Sequence, residues 1–242
     1  MLRKPTTPAR KPAPNSPGAE PSFGLLHELC EELYESIRAV KGKDPAARNS
    51  AEILLLYSGV HAMLSHRIAH RLYSRGMFFS ARAISQVSRF LTGIEIHPGA
   101  RIGKGLFIDH GMGVVIGETT EIGDNCVLYQ GVTLGGTGKD VGKRHPTLGD
   151  NVMIGAGAKV LGPVTIGSGS KIASNAVVLR DVPANCTAVG IPAKVVRRDG
   201  VRVYDPMDQC HLPDPVAQEL GNLTERVHEL EEERSSGKDD QN

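Results

Sequence analysis

Residues 148–178 read LGDNVMIGAGAKVLGPVTIGSGSKIASNAVV, and one aliphatic side chain returns at every sixth position: Leu148, Ile154, Val160, Ile166, Ile172 and Val178. A period of six fits neither the 3.6-residue turn of a helix nor simple strand alternation, so the unit is a short strand plus a turn, repeated. Glycine often follows the aliphatic (Gly149, Gly155, Gly167), and four positions after it a small side chain or Val recurs (Val152, Ala158, Val164, Ser170, Ala176). A chain of this kind stacks its aliphatics into one narrow core, while glycine accepts the backbone angles that corners demand.

Upstream, the same period runs through Ile96, Ile102 and Ile108, slips by two residues, and resumes at Ile116, Ile122, Leu128 and Leu134. It breaks again between Leu134 and Leu148, which predicts an extruded loop over residues 135–147, the kind of interruption where solenoids carry function. The composition agrees. In 242 residues there are 28 Gly, 5 Phe, 5 Tyr and no Trp, which describes a thin, regular core rather than an aromatic one.

The flanks differ from the repeats. Residues 1–22 are proline-rich and basic with Glu20 as their only acid, so they read as a disordered tail. Residues 23–92 read as a helical N-terminal domain of three to four helices. Phe23, Leu26, Leu29, Leu33, Ile37 and Val40 recur at steps of three and four; Asn49 and Glu52 have capping-box spacing before a second helix; Ile84, Val87 and Leu91 mark another face. Gly59 and Gly76 read as interruptions. Residues 93–199 form the repeat domain. Residues 200–242 are a C-terminal extension in which Val216, Leu220, Leu223, Val227 and Leu230 make a short heptad seam. The fold class is α+β.

Several functions are excluded by totals. With 28 Lys+Arg against 27 Asp+Glu, the basic footprint of a nucleic-acid binder is missing. No run of 18 apolar residues occurs and the N-terminus lacks a signal-peptide stretch, so the expectation is a soluble, cytoplasmic protein without a membrane partner. Cys30, Cys126, Cys186 and Cys210 form no CxxC pair and read as reduced thiols.

Histidines stand out in a solenoid of aliphatics and glycines. His110 lies in Asp109-His110-Gly111 just before the register slip, and His145 in Arg144-His145-Pro146 at the end of the extruded loop. An imidazole is the usual general base near neutral pH, and a carboxylate on its second nitrogen orients it. Glu95 lies 15 residues before His110, three short of an 18-residue coil, so the two could approach across a corner. His97, followed by Pro98, reads as a turn cap. His66 and His70 are spaced i, i+4 but have no HExxH context, so they read as a solvated or interface face and no metal is expected. Gly135-Gly136-Thr137-Gly138-Lys139 fails the phosphate-loop spacing, and Glu118 reads as a coil corner.

Taken in order, Glu95-Ile96-His97-Pro98, Asp109-His110-Gly111, Gly117-Glu118-Thr119, Leu134-Gly135-Gly136-Thr137-Gly138-Lys139, Lys143-Arg144-His145-Pro146 and Gly155-Ala156-Gly157-Ala158-Lys159 resemble the serine O-acetyltransferase family. The likeness runs from about Lys43-Asp44-Pro45 to Lys194. It implies a left-handed parallel β-helix and transfer of acetyl from acetyl-CoA to the hydroxyl of L-serine, for cysteine synthesis. By the same resemblance His110 is the base, Glu95 holds the place of its carboxylate partner, Arg144 and His145 face the substrate carboxylate, and Asp44 and Asp109 face its ammonium. CoA is implied in a groove between neighbouring subunits, lined near Gly136 and by Ala156 and Ser174. A homotrimer or a dimer of trimers follows from the resemblance, as does feedback by cysteine at the serine site. The family's C-terminal isoleucine, which docks into O-acetylserine sulfhydrylase, has no counterpart in Asp239-Asp240-Gln241-Asn242, so that association is expected to be weak or absent.

Three other readings compete. A sugar or drug acetyltransferase would share the fold and a histidine base, but Asp44 and Arg144-His145 favour an amino-acid acceptor. A hexapeptide-repeat carbonic anhydrase needs three histidines on zinc, and the steps from His97 to His110 to His145 lack the close pair expected of one. A non-catalytic trimeric scaffold is suggested by the heptads alone.

Overall fold

The structure is a computed structural model that describes residues 22–138, 142–198, 219, 222–224 and 226–227. The proline-rich tail, Cys210, the seam residues Val216, Leu220 and Leu230, and residues 239–242 lie outside the described residues. The seam's Leu223 and Val227 sit in a short helical stretch and are exposed.

Four helices come first: α1 (Ser22–Lys43), α2 (Ser50–Leu56), α3 (Ser58–Ser74) and α4 (Phe78–Thr92). Asn49 caps α2 as its spacing predicted, its side chain accepting the Glu52 N–H at 2.9 Å. Gly76, at φ +79°, turns the chain between α3 and α4. The interruption expected at Gly59 falls at Tyr57, between α2 and α3. Gly59 lies in the first turn of α3, where a Cβ would stand 2.6 Å from the Ile108 carbonyl oxygen, so glycine here permits the helix to lie against the solenoid.

Short strands follow: β1 (Glu95–Ile96), β2 (Arg101–Ile102), β3 (Phe107–Ile108), β4 (Val115–Ile116), β5 (Glu121–Ile122), β6 (Val127–Leu128), β7 (Thr133–Gly135), β8 (Thr147–Leu148), β9 (Met153–Ile154), β10 (Lys159–Leu161), β11 (Thr165–Ile166), β12 (Lys171–Ile172), β13 (Val177–Val178), β14 (Cys186–Val189) and β15 (Lys194–Arg198). Every third strand pairs in parallel. One face runs β1-β4-β7-β10-β13, the second β2-β5-β8-β11 and the third β3-β6-β9-β12-β14, making the three-sided prism of a left-handed parallel β-helix. At the far end β15 pairs antiparallel with β14.

The register matches the hexad reading. Ile96, Ile116, Leu134, Val160 and Val178 stack on the first face, and Ile108, Leu128, Ile154 and Ile172 on the third; all are buried. Each such side chain contributes about 1.5–3 kcal/mol by leaving water. Helix α3 extends this core, since Ala62 and Met63 pack into the same cluster as Ile94 and Ile108. Arg67 fastens it. Its guanidinium donates to the carbonyls of Ile102 and Gly103 and to the buried Glu32 carboxylate, all at 2.7 Å, joining α1, α3 and β2.

Helix α4 corrects one expectation. Its sequence spacing pointed to Ile84, Val87 and Leu91 as the buried face, but the residues turned inward are Ala81, Ser85, Ser88 and Thr92. The solenoid wall is itself close-packed backbone, so small side chains let the helix approach; Ser85 donates to the Ile96 carbonyl at 2.6 Å. The large apolar groups face outward, with Phe79 and Phe90 each 88% exposed.

Candidate active site

The two-residue slip seen in the sequence has a physical form. Met112, Gln130, Ala156 and Ser174 occupy equivalent places on successive coils, fixed by the ladder hydrogen bonds Gly131 N–H to Met112 O, Gly157 N–H to Gln130 O and Asn175 N–H to Ala156 O. Between Ile108 and Met112 the first coil carries two more residues than the coil below it, and the turn bulges. His110 rides on that bulge. Its backbone is in the left-handed region at φ +56° and its side chain is 76% exposed, projecting from the corner between the third and first faces.

Around it sit acidic groups. Asp109 Oδ1 is 4.0 Å from His110 Nε2, and burial pushes the Asp109 carboxyl above its ordinary range, with the His110 charge opposing that shift. Asp44 is near enough to add to it. Asp44 is already engaged, accepting the Ala46 N–H at 2.7 Å and the Tyr57 hydroxyl at 2.6 Å; that second bond, first among its causes, pushes Tyr57 up to about 12. Ser58 donates to the His110 carbonyl at 3.4 Å. Glu95 is held elsewhere. Its carboxylate pairs with Arg82 at 3.0 Å and Arg89 at 3.3 Å on α4, so in the single chain the carboxylate against His110 is Asp109 and not the Glu95 expected from the coil spacing. The reason is the outward face of β1, which α4 covers.

Arg144 and His145 occupy a different corner, between the first and second faces. The Thr119 side chain anchors both: Oγ1 accepts the Arg144 N–H at 3.0 Å and the His145 N–H at 3.1 Å, and lies 2.9 Å from His145 Nδ1, which the Thr119 N–H also approaches at 3.2 Å. Glu118 was expected to be a plain corner. Instead it accepts the Tyr73 hydroxyl at 2.8 Å and pairs with the Arg144 guanidinium; Tyr73 first, then His97 and Arg144, hold its carboxyl below the usual range. Burial lowers His145, and the Arg144 charge adds to the effect. His97 caps its turn as expected, accepting the Gly99 N–H on Nδ1 at 3.0 Å.

The residues suggested for CoA divide the same way. Ala156 and Ser174 belong to the column beneath the His110 bulge, which spans about 14 Å from Met112 to Ser174 at the usual strand spacing. Gly136 lies beside Arg144, where a Cβ would stand 3.1 Å from the Arg144 carbonyl. A cleft of about 540 Å³ between α1, α3 and β2, lined by Glu28, Glu31 and Arg71 among others, is remote from both corners. Sequence reasoning missed Tyr57, Ser58, Tyr73 and Thr119; of these only Thr119 lay in a quoted motif. His66 is not solvated but fully buried, with neither ring nitrogen hydrogen-bonded, while His70 Nδ1 meets the Pro98 carbonyl at 2.7 Å. Among the described residues no group of three or more His, Cys, Asp or Glu could hold a metal, and no helix is long and apolar enough to cross a membrane.

Known proteins share this fold. The family described as "Bacterial transferase hexapeptide (six repeats)" matches residues 145–180. A serine acetyltransferase of Staphylococcus aureus (strain MSSA476) is 57% identical over 199 residues, 82% of this chain and 93% of its own length. The chain belongs to the serine acetyltransferase family. Among solved members, the Brucella abortus strain S19 enzyme in complex with coenzyme A superposes with a TM-score of 0.71 at 43% identity, covering 74% of this chain and 72% of that one. The Neisseria gonorrhoeae serine acetyltransferase in complex with serine gives 0.69 at 42% identity, covering 72% of each. Membership of the serine acetyltransferase family makes this chain an acyltransferase.

Proposed function

We propose that this chain transfers the acetyl group of acetyl-CoA to the hydroxyl of L-serine, giving O-acetyl-L-serine and CoA on the way to cysteine. The observation that carries the reading is the exposed His110 on its bulge, standing at the head of the column that runs down to Ala156 and Ser174, with a guanidinium–imidazole pair at the next corner. The complexes of the Brucella abortus relative with coenzyme A and of the Neisseria gonorrhoeae relative with serine support the two substrates.

In the reaction, His110 takes the proton of the serine hydroxyl as its oxygen attacks the thioester carbonyl directly. The tetrahedral intermediate collapses with cleavage of the C–S bond, and the imidazolium returns the proton to the departing CoA thiolate. Atoms and charge balance without an acyl-enzyme. Asp44 and Asp109 suit the ammonium, and Arg144 with His145 suits the carboxylate. By the family resemblance Glu95 is read as the carboxylate that orients His110; Ala156, Ser174 and Gly136 leave room for the pantetheine arm. Residues 93–199, with Asp44 contributed by the helical region, carry this chemistry.

The active unit is read as a homotrimer. In one chain His110 and Arg144 are a prism face apart, on the order of 15–20 Å for six extended residues, too far to touch one serine. A cyclic assembly brings one copy's third–first corner against the neighbour's first–second corner and closes after three copies. The apolar outer face of α4, with Phe79, Val87, Phe90 and Leu91 exposed, supports self-association.

Release of CoA thiol from acetyl-CoA, followed against L-serine, L-homoserine, a galactoside and chloramphenicol, tests the reading. Turnover with L-serine that His110→Ala abolishes is the expected result. Turnover confined to a sugar or drug hydroxyl would overturn the acceptor assignment, and activity surviving in His110→Ala would overturn the base.

A further inference from the structure

We propose that Glu118 and Thr119, one dipeptide at the turn between β4 and β5, are positioning residues that pre-set Arg144 and His145 for the acceptor, with Thr119 fixing His145 as a neutral Nε2–H donor. The inference rests on the acceptor site proposed above and assigns roles to two residues that do not themselves touch substrate.

Hydrogen-bond bookkeeping carries it. Thr119 Oγ1 accepts two backbone N–H groups, from Arg144 and His145, which uses its lone pairs and leaves its hydroxyl proton to donate to His145 Nδ1 at 2.9 Å. The Thr119 N–H, which can only donate, reaches the same nitrogen at 3.2 Å. With two donors aimed at Nδ1, that nitrogen is the unprotonated one and the ring proton sits on Nε2. Among the described residues no acceptor takes the Nε2–H, so it is available to a ligand oxygen. The lowered affinity of His145 for a second proton, from burial and from Arg144, fits a ring that stays neutral.

Glu118 does the equivalent for Arg144. Its carboxylate is tied by the Tyr73 hydroxyl on one oxygen and grips one end of the guanidinium with the other, leaving the rest of the fork to meet a carboxylate. The two histidines of the site therefore divide the work: His110 receives a proton, and His145 only lends one to a hydrogen bond. Gly117 completes the seat, because a Cβ at this position would overlap His145 Cδ2 and Nε2.

Long-range ¹H–¹⁵N correlation of the imidazoles in the intact protein reads the tautomer without reference to activity. Protonated Nε2 with a bare Nδ1 at His145 is expected, and Nδ1–H or a fast mixture would overturn the proposal even if every variant failed to fold. Kinetics form the second arm. Thr119→Val and Glu118→Gln each raise KM for L-serine by about tenfold, the loss of one to two hydrogen bonds, with KM for acetyl-CoA nearly unchanged. Thr119→Ser, which keeps the hydroxyl, recovers most of that loss. If Arg144→Ala raises KM for L-serine while Thr119→Val and Glu118→Gln leave it unaltered, the positioning role is wrong and the acceptor site stands. If Arg144→Ala itself leaves KM for L-serine unaltered, the acceptor site falls and this inference with it.

Discussion

His110 shares its left-handed backbone conformation with Asn125, Asn151, Asn175 and Asn185, the other described non-glycine residues at positive φ. Asparagine tolerates that region; histidine is held there against a preference of about 1–2 kcal/mol, which the packed coil beneath it enforces. His110→Asn therefore separates chemistry from folding. We expect turnover to fall by on the order of 10²- to 10⁴-fold, the usual share of a general base, with a melting temperature at or above that of the parent. Activity within a few-fold of the parent would remove His110 from the mechanism. Gly117→Ala makes the opposite separation. The new methyl group meets the His145 ring, so KM for L-serine should rise about tenfold while stability falls by about 1–3 kcal/mol, as overpacking does; an unchanged KM would mean that the ring's seat is irrelevant to the acceptor. At this scale the sequence was informative for His110, because a register slip next to a histidine is visible in a strict repeat. Thr119 was silent, since its partners lie 25 and 26 residues away across a loop whose path no periodicity encodes.

Helices α3 and α4 sit on the solenoid in unlike ways, and the difference sets what each would do under stress. Along α4 the hydrophobic spacing gave the helix but not its inward face, because a wall of close-packed coils selects side chains for smallness rather than for apolarity. Along α3 the notable inward residue is His66, buried without a hydrogen bond, with Arg67, His70 and His97 as the charges around it. Burial, reinforced by those charges, holds His66 well below 6.5 when folded, whereas in the unfolded chain it titrates near 6.5. Below that pH the unfolded state gains a proton that the folded state refuses. Its contribution is thus intact above about pH 6.5 and declines as the pH falls, by up to about 1.4 kcal/mol per unit. His97 and His145 are shifted in the same direction. Urea unfolding at pH 7.5 and 5.5 should show His66→Leu losing less stability on acidification than the parent, by about one proton's worth; equal losses would show that His66 protonates without opening the helix–solenoid contact.

For the whole molecule, the separation of His110 from Arg144 by one prism face makes a prediction that no single-chain site would make. His110→Ala and Arg144→Ala are each expected to be inactive, yet when co-expressed they should recover roughly a quarter of the parent activity, since random cyclic assembly leaves that share of interfaces with both residues intact. No recovery in verified mixed trimers would place both groups in one subunit's site. The prism itself was legible from the hexads, because each repeat is one side of it and each aliphatic points to the axis. The proposed assembly has no such signature, because a repeat records its neighbours in the stack and carries no mark of what stands beside it. Closure at the far end was equally unreadable: the hexad pattern stops near Val178, and nothing in residues 179–198 spells out a reversal of direction. That reversal decides how the particle ends. A parallel solenoid finishing on a bare coil would offer the next molecule a template of its own kind, and copies could add end to end into a filament. Because Lys194–Arg198 runs against Cys186–Val189, the third face ends on a strand of opposite polarity that carries Lys194, Arg197 and Arg198, with Lys194 paired to Glu219, and that edge offers another copy no parallel template.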